Sequence, residues 1–296
     1  MEREDSTAAD QRGVLRVAMA QIAPALGDLP RNLALHLEQI EAARRQRADL
    51  IVFPELSLTG YFVRDMVPDL AISPTGPEIR QLLDAAGPMA MVVGLIEESP
   101  RHRFYNVALW AEGGRVLHVH RKVYLPTYGL FDEQRYFAAG ERFMAFDTAR
   151  FGRVGILVCE DFWHLSAAAV MQAEEVDVLI CPSDSPVRGV DGPKVRTAET
   201  YEQLAKAFAQ LLVAAVIVVN RVGFEDGLCF WGGSMAIGPD GRTIAQAPML
   251  DPALCLAAFD PLELRRQRLI TPLARDERLL VTIEELNRIK RRRYET

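Results

Sequence analysis

The chain has 296 residues, 49% of them hydrophobic and 25% charged, with a formal net charge of −6 at pH 7. This is ordinary globular composition, enough for one large domain or two small ones. The acidic balance argues against a nucleic-acid partner, and no apolar run approaches the roughly 18 residues of a membrane span. Residues 1–13 open with MEREDSTAADQRG, charged and without an apolar core, and are expected to form a flexible leader rather than a secretory signal. The four cysteines, Cys159, Cys181, Cys229 and Cys255, are widely spaced with no CxxC pair. A reduced, cytoplasmic protein with no cysteine metal site is the expectation.

In chain order, Val14–Ala20 reads as a strand and Asn32–Arg47 as an amphipathic helix, with Leu33, Leu37 and Ile40 on one face. Leu50–Phe53 is a buried strand, followed by Pro54 and Glu55. Glu78–Ala86 is helical, and Ala90–Ile96, Phe104–Trp110 and Arg115–His120 are strands, the last two joined by a turn at Glu112-Gly113-Gly114. Phe143–Asp147 and Val154–Val158 are strands, Leu165–Glu175 a helix and Val176–Cys181 a strand. A long helix, Lys194–Leu212, runs into the strand Val213–Asn220. Ser234–Ile237 and Thr243–Gln246 flank the turn Gly238-Pro239-Asp240-Gly241; Leu254–Phe259 is the last strand and Ile283–Arg292 a terminal helix. No linker, repeat or composition shift interrupts this series, so residues 14–296 are expected to form a single α/β domain of mixed sheets covered by helices.

Three reactive residues occupy similar places. Glu55 follows its strand by two residues, Lys122 follows the strand ending at His120 by two, and Cys159 follows Val158 directly. If the carboxyl ends of these strands lie together, the three side chains meet in one crevice, where α/β proteins commonly place their sites. A free thiol is only slightly ionised at neutral pH. A carboxylate can take its proton and an ammonium can stabilise the thiolate. Attack on an amide carbon puts negative charge on oxygen, which Lys122 and the backbone N–H of Glu160 could stabilise. Glu55 could then protonate the departing nitrogen. A lysine in a crevice contributes little packing, so its loss is expected to spare the fold.

The segments FPELSLTGY (Phe53–Tyr61), RKVYLPTYGLFDEQRYF (Arg121–Phe137) and GILVCEDFW (Gly155–Trp163) resemble the three signature blocks of the nitrilase superfamily of carbon–nitrogen hydrolases. The resemblance covers Val14 to about Ile289. It implies a four-layer α-β-β-α sandwich, a Glu–Lys–Cys triad at Glu55, Lys122 and Cys159, a thioester intermediate, no metal or other cofactor, and a homodimer or higher homo-oligomer with Leu165–Glu175 or Lys194–Leu212 near the interface. It also implies that Glu133, on the loop after the lysine, orients substrate; the structural reading of Glu133 is a loop salt bridge with Arg135. Tyr128, Glu160, Trp163 and Ser185 are further candidates for substrate binding. Within the superfamily, YLPTYGLFDEQRYF, CEDFW and SDSP (Ser183–Pro186) are most similar to the glutamine amidohydrolase domain of NAD synthetases. The chain closes at Thr296 without an SGGxDS-type phosphate loop, so NAD synthesis by this chain alone is not expected, and a separate ammonia-accepting enzyme is the partner this implies. The expected reaction is hydrolysis of a small carboxamide with release of ammonia. N-carbamoyl hydrolysis and nitrile hydrolysis compete with it; Glu160, where nitrilases more often carry Trp, counts against the latter. A binding scaffold without catalysis is the rival from another class.

Other motifs rank lower. His118 and His120 share a strand face at a metal-compatible spacing, but no further ligand supports them. Cys181 and Cys229 read as core, Lys290–Arg293 as the cationic end of a helix, and Phe162 as either core or pocket wall. Asn220 and Arg221 close a strand with no charge logic to place them at the site.

Overall fold

A computed structural model describes residues 13–192 and 194–295. The leader expected over residues 1–13 therefore lies, up to residue 12, outside the described residues. In chain order the first half supplies β1 (Leu15–Gln21), α1 (Leu29–Arg45), β2 (Leu50–Val52), α2 (Pro77–Ala86), β3 (Ala90–Glu98), β4 (Phe104–Glu112) and β5 (Arg115–Arg121). The second supplies β6 (Phe146–Thr148), β7 (Gly152–Ile156), α3 (Leu165–Ala173), β8 (Val178–Ser183), α4 (Arg196–Leu212) and β9 (Ala215–Asn220). A hairpin of β10 (Val222–Glu225) and β11 (Leu228–Trp231) follows, then β12 (Met235–Ile237), β13 (Thr243–Gln246), β14 (Ala253–Phe259), α5 (Pro261–Ile270) and α6 (Leu279–Tyr294).

Two six-stranded sheets result, ordered β14-β1-β2-β3-β4-β5 and β13-β12-β9-β8-β7-β6. Their strands are apolar on both faces, and alternation sorts the faces. In β1, Val17 and Met19 point between the sheets, where they join Leu50, Val52, Trp110, Ile156, Ile180 and Ile217. Ala18 and Ala20 point outward beneath Ile40 of α1 and Ile79 and Leu82 of α2. The outer face of the second sheet, with Leu179, Cys181 and Val216, is covered by Ala168 and Met171 of α3 and Tyr201, Ala205 and Phe208 of α4. The layers are thus helix, sheet, sheet, helix, as the sandwich reading expects. Fully burying each large side chain contributes about 1.5–3 kcal/mol.

The strand directions position the site. β1, β2 and β3 are parallel. β4 is antiparallel to β3, and β5 antiparallel to β4, so β5 runs the same way as β2. Hence Glu55 and Lys122 emerge at one end of the first sheet. In the second sheet β7, β8 and β9 are parallel, so Cys159, Ser183 and Asn220 emerge together as well.

Several boundaries differ from expectation. α1 starts at Leu29 rather than Asn32, because the Asp28 side chain accepts from the Arg31 N–H at 3.1 Å and Pro30 suits the first turn. α4 starts at Arg196, since Lys194–Val195 pair with Val190–Asp191 in a short ribbon. The β10–β11 hairpin and α5 have no counterpart in the expected elements. α5 buries no residue, so it carries no amphipathic stripe to read.

Candidate active site

Two turns carry the acid and the thiol, and both pass through the left-handed region at a non-glycine residue: Leu56 at φ 43° and Cys159 at φ 46°. Such backbone costs about 1–2 kcal/mol per residue and needs a surrounding that over-determines it. At the Glu55 turn, Gly94 of β3 allows that close approach. A Cβ there would lie 2.4 Å from the Leu56 nitrogen and 2.5 Å from the Pro54 oxygen. Ser57 Oγ accepts from the Gly94 N–H at 3.2 Å and lies 2.9 Å from His36 Nε2, while His36 Nδ1 lies 2.7 Å from the Asn32 carbonyl. Nδ1–H donates to that carbonyl, so the other ring nitrogen accepts from serine in a neutral imidazole. Burial lowers the pKa of His36 to about 4, its bond to the Asn32 backbone opposing the shift.

Glu55 is buried. Its Oε1 accepts from Lys122 Nζ at 2.7 Å and from Asn106 Nδ2 at 2.7 Å; its Oε2 accepts from the Asp184 N–H at 2.9 Å. The same lysine donates to Glu133 Oε1 at 2.6 Å, and that oxygen also accepts from the Tyr61 hydroxyl at 2.5 Å. Burial alone would lower the pKa of Lys122, but Glu133 and Glu55 raise it well above the ordinary value. The ammonium form is therefore the resting one. Burial raises Glu133 to about 7, with Lys122 opposing and Glu55 assisting. Glu133 pairs with Lys122, not with Arg135 as the loop salt-bridge reading had it. Lys122 is among the largest fully buried side chains. This burial removes the premise on which its loss was expected to spare the fold; its removal is now expected to strand two buried carboxyl groups, at a cost on the order of 3–5 kcal/mol.

Cys159 sits at the first position of a short 3-10 helix, Cys159–Trp163. Its Sγ accepts from Ser183 Oγ at 3.2 Å and lies 3.4 Å from the Tyr201 hydroxyl; the two hydroxyls are 2.9 Å apart. Burial, then Glu55, pushes the thiol pKa up, with Lys122 opposing. The resting group is a neutral thiol within the field of both Glu55 and Lys122. The first N–H groups of a helix lack intrahelical acceptors, so the Glu160 N–H belongs to a set that can face developing negative charge.

The other candidate residues lie around this centre. The Tyr128 hydroxyl donates to Glu160 at 3.1 Å to each oxygen, and Tyr128 is 50% exposed, so this pair forms the rim. Trp163 packs edge-on against Tyr201 with centroids 5.4 Å apart. Ser185 is buried, and its backbone is clamped by Asn220: Ser185 N–H to Oδ1 at 2.8 Å, and Nδ2 to the Ser185 carbonyl at 3.2 Å. Ser183, not Ser185, touches the thiol. Arg221, whose place charge logic left open, donates to Glu225 at 2.5 Å and stands 3.8 Å from Asp184. Glu225 accepts from the Tyr61 and Phe62 N–H groups at 2.8 Å each. It thereby anchors the segment whose Tyr61 holds Glu133. Asp184 keeps both carboxyl oxygens without a hydrogen-bond partner, and burial, against Arg221, raises its pKa well above the ordinary range.

Sequence reasoning missed Tyr201, Asn106 and Asp161, and named Ser183 only within the SDSP segment, choosing Ser185 from it; the signal for Asp161 was an acid two residues after the thiol. His120, read as a weak metal candidate, has its Nε2 2.8 Å from Asp161, and His118 stacks on Phe146 at 4.4 Å. Among the described residues no three His, Cys, Asp or Glu side chains gather to hold a metal ion. Nor is any described helix long and apolar enough to cross a membrane.

Residues 16–268 match the family model described as carbon-nitrogen hydrolase. The chain belongs to the carbon–nitrogen hydrolase family, within the nitrilase superfamily. It is similar to the glutamine-dependent NAD(+) synthetase of Acinetobacter baylyi, 32% identical over 257 residues that cover 87% of this chain and 46% of that protein. The solved glutamine-dependent NAD+ synthetase of Acinetobacter baumannii is 31% identical, with a TM-score of 0.74 over 83% of this chain and 46% of that one. The carbon-nitrogen hydrolase of Helicobacter pylori G27, at 24% identity and a TM-score of 0.82, shares the fold over 90% of this chain and 96% of its own. The chain spans about half the length of the curated relatives it matches.

Proposed function

We propose that this chain hydrolyses a small carboxamide, glutamine-like amides ahead of others, through a thioester on Cys159. The observation that carries the reading is the buried chain Glu133–Lys122–Glu55, together with the buried Cys159 sulfur held by Ser183 and Tyr201. In the first half-reaction Cys159 gives its proton to Glu55 and its sulfur bonds to the amide carbon. The oxyanion is met by Lys122 and the Glu160 N–H. The C–N bond breaks as Glu55 passes the proton to nitrogen, and ammonia leaves. In the second half-reaction water adds to the thioester, its proton returns through Glu55 to sulfur, and the carboxylic acid leaves. Glu133 keeps Lys122 in place throughout.

The preference for glutamine rests on two supports. The two NAD(+) synthetases named above are described as glutamine-dependent. The rim also carries a carboxylate, Glu160, hydrogen-bonded by Tyr128, which suits an α-ammonium group. Ammonia would pass to solvent or to a separate accepting enzyme. We further propose a homodimer through α3 and α4, which leave Leu165 (73%), Val170 (38%) and Leu211 (51%) exposed; light scattering showing only a 33.0 kDa species at micromolar concentration would exclude it. A panel of amides, nitriles and N-carbamoyl compounds at equal loading tests the substrate class. The highest kcat/KM should fall on glutamine or a close amide. A nitrile in first place, or an N-carbamoyl compound releasing carbon dioxide with ammonia faster than any amide releases ammonia, would replace the assignment.

A further inference from the structure

We propose that Asp161 is a positioning residue that ties the loop carrying Lys122 to the turn carrying Cys159. The inference rests on Cys159 being the nucleophile. Asp161 is fully buried and touches none of Glu55, Lys122 or the Cys159 sulfur by hydrogen bond; its four side-chain partners are all neighbours in sequence of the lysine and the cysteine. Oδ1 accepts from the N–H groups of Val123 at 3.0 Å and Tyr124 at 2.8 Å, the two residues after Lys122. Oδ2 accepts from His120 Nε2 at 2.8 Å, two residues before Lys122, and from the Val158 N–H at 3.2 Å, directly before Cys159. The Asp161 N–H closes the turn by donating to the Val158 carbonyl at 3.0 Å.

These four bonds occupy the acceptor capacity of a carboxylate. They do so where regular structure stops providing partners. β5 ends at Arg121, and the Lys122 N–H makes a last ladder-like bond to the Asn106 carbonyl at 2.9 Å. On the other side, Cys159 holds left-handed backbone that the turn must enforce. The two segments belong to different sheets, so no shared strand ladder sets their separation. One short carboxylate receives both. Gly140 packs the far side of the same loop: its N–H donates to the Lys122 carbonyl at 2.8 Å, and a Cβ there would lie 2.1 Å from the Arg121 oxygen. Lys122 is thus fixed from two directions, one of them through the cysteine's own turn. Asparagine at 161 keeps the acceptor for Val123 and Tyr124 but sets an N–H₂ group against the His120 and Val158 donors.

The test is Asp161→Asn, measured in two ways on folded protein: steady-state kinetics with the best amide of the panel, and iodoacetamide alkylation of Cys159 read by peptide mass. Misplacement of a reacting group by about 1 Å costs on the order of 100-fold. The expected result is a kcat about 100-fold lower with KM within about threefold, and alkylation at least about tenfold slower because the thiolate loses its ammonium neighbour. Wild-type kcat and alkylation, or a loss confined to KM, would overturn the proposal. Should Asp161→Asn not fold, His120→Ala removes a single bond of the clamp. A kcat about tenfold lower, regained in His120→Gln, whose amide N–H can still donate, supports the role; unchanged kcat in His120→Ala overturns it. Cys159→Ala separates the two claims. An inactive Cys159→Ala beside a normal Asp161→Asn overturns only the positioning role, while an active Cys159→Ala overturns the nucleophile itself.

Discussion

The buried centre and the exposed rim of the site differ in how their charges are held. At the centre, Glu55, Lys122 and Glu133 are each at most 4% exposed and bonded to one another at 2.6–2.7 Å. At the rim, Tyr128 and Glu160 meet at 3.1 Å beside solvent. Tyr128 is half-exposed while the Glu160 side chain is 13% exposed, so the rim pair is better screened than the centre and lends more modest binding energy. The centre is buried from solvent, and Lys122 is held between the two carboxyl groups. Under the proposed function the chemistry would belong to the buried centre, and choice among substrates to the rim. Mutations at the centre should therefore act on kcat, and mutations at the rim on KM.

The sharpest break between the two comes from Cys159→Ala, which should abolish turnover, since no other group can carry the acyl intermediate. Activity above about a hundredth of wild type would contradict the assignment. Lys122→Ala should follow, with kcat lower by about 100-fold or more and stability lower by about 3–5 kcal/mol, because Glu55 and Glu133 lose their shared cation. Thermal unfolding and kinetics on the same sample check both. A stable, inactive variant would show that the carboxyl groups simply protonate, and a stable, active one would remove Lys122 from the mechanism.

At the rim, Glu160→Gln should raise KM for glutamine by about tenfold, the scale of one charge-assisted hydrogen bond, with little change in kcat. An equal fall of kcat at unchanged KM would move Glu160 into the chemical step. The acid response of the Glu55 turn follows from His36. Its folded pKa, about 4, lies below the unfolded value of 6.5. The neutral imidazole's contribution is therefore complete above pH 6.5 and is lost as pH falls toward 4. The shift corresponds to about 3 kcal/mol. Denaturant melts between pH 7 and 4 should show a steeper loss in wild type than in His36→Gln; parallel curves would remove His36 as the cause.

The contrast also explains what the sequence could disclose. Glu55, Lys122 and Cys159 were legible because each stands at the end of an apolar run, where strand direction alone decides that they meet. Glu133 was legible only through resemblance, and the alternative reading paired it with Arg135, because that neighbour is visible in sequence while Lys122, eleven residues away, is reached only after the loop folds back. Ser183 and Tyr201 lie 24 and 42 residues from Cys159, inside segments whose hydrophobic pattern hides single hydroxyls. The place of Arg221 stayed open because Asp184 reaches it only once β8 and β9 lie side by side, and Glu225, four residues on, only through the backbone course into β10.

The central claim is that Cys159 carries the acyl group. Rapid acid quench during turnover of an amide, followed by peptide mass spectrometry, tests it directly. The account predicts a mass gain equal to the acyl group on the peptide containing Cys159, appearing before steady state and absent from Cys159→Ala. Steady turnover of the same amide by Cys159→Ala, with no acyl mass on Cys159 of the wild type, would contradict it.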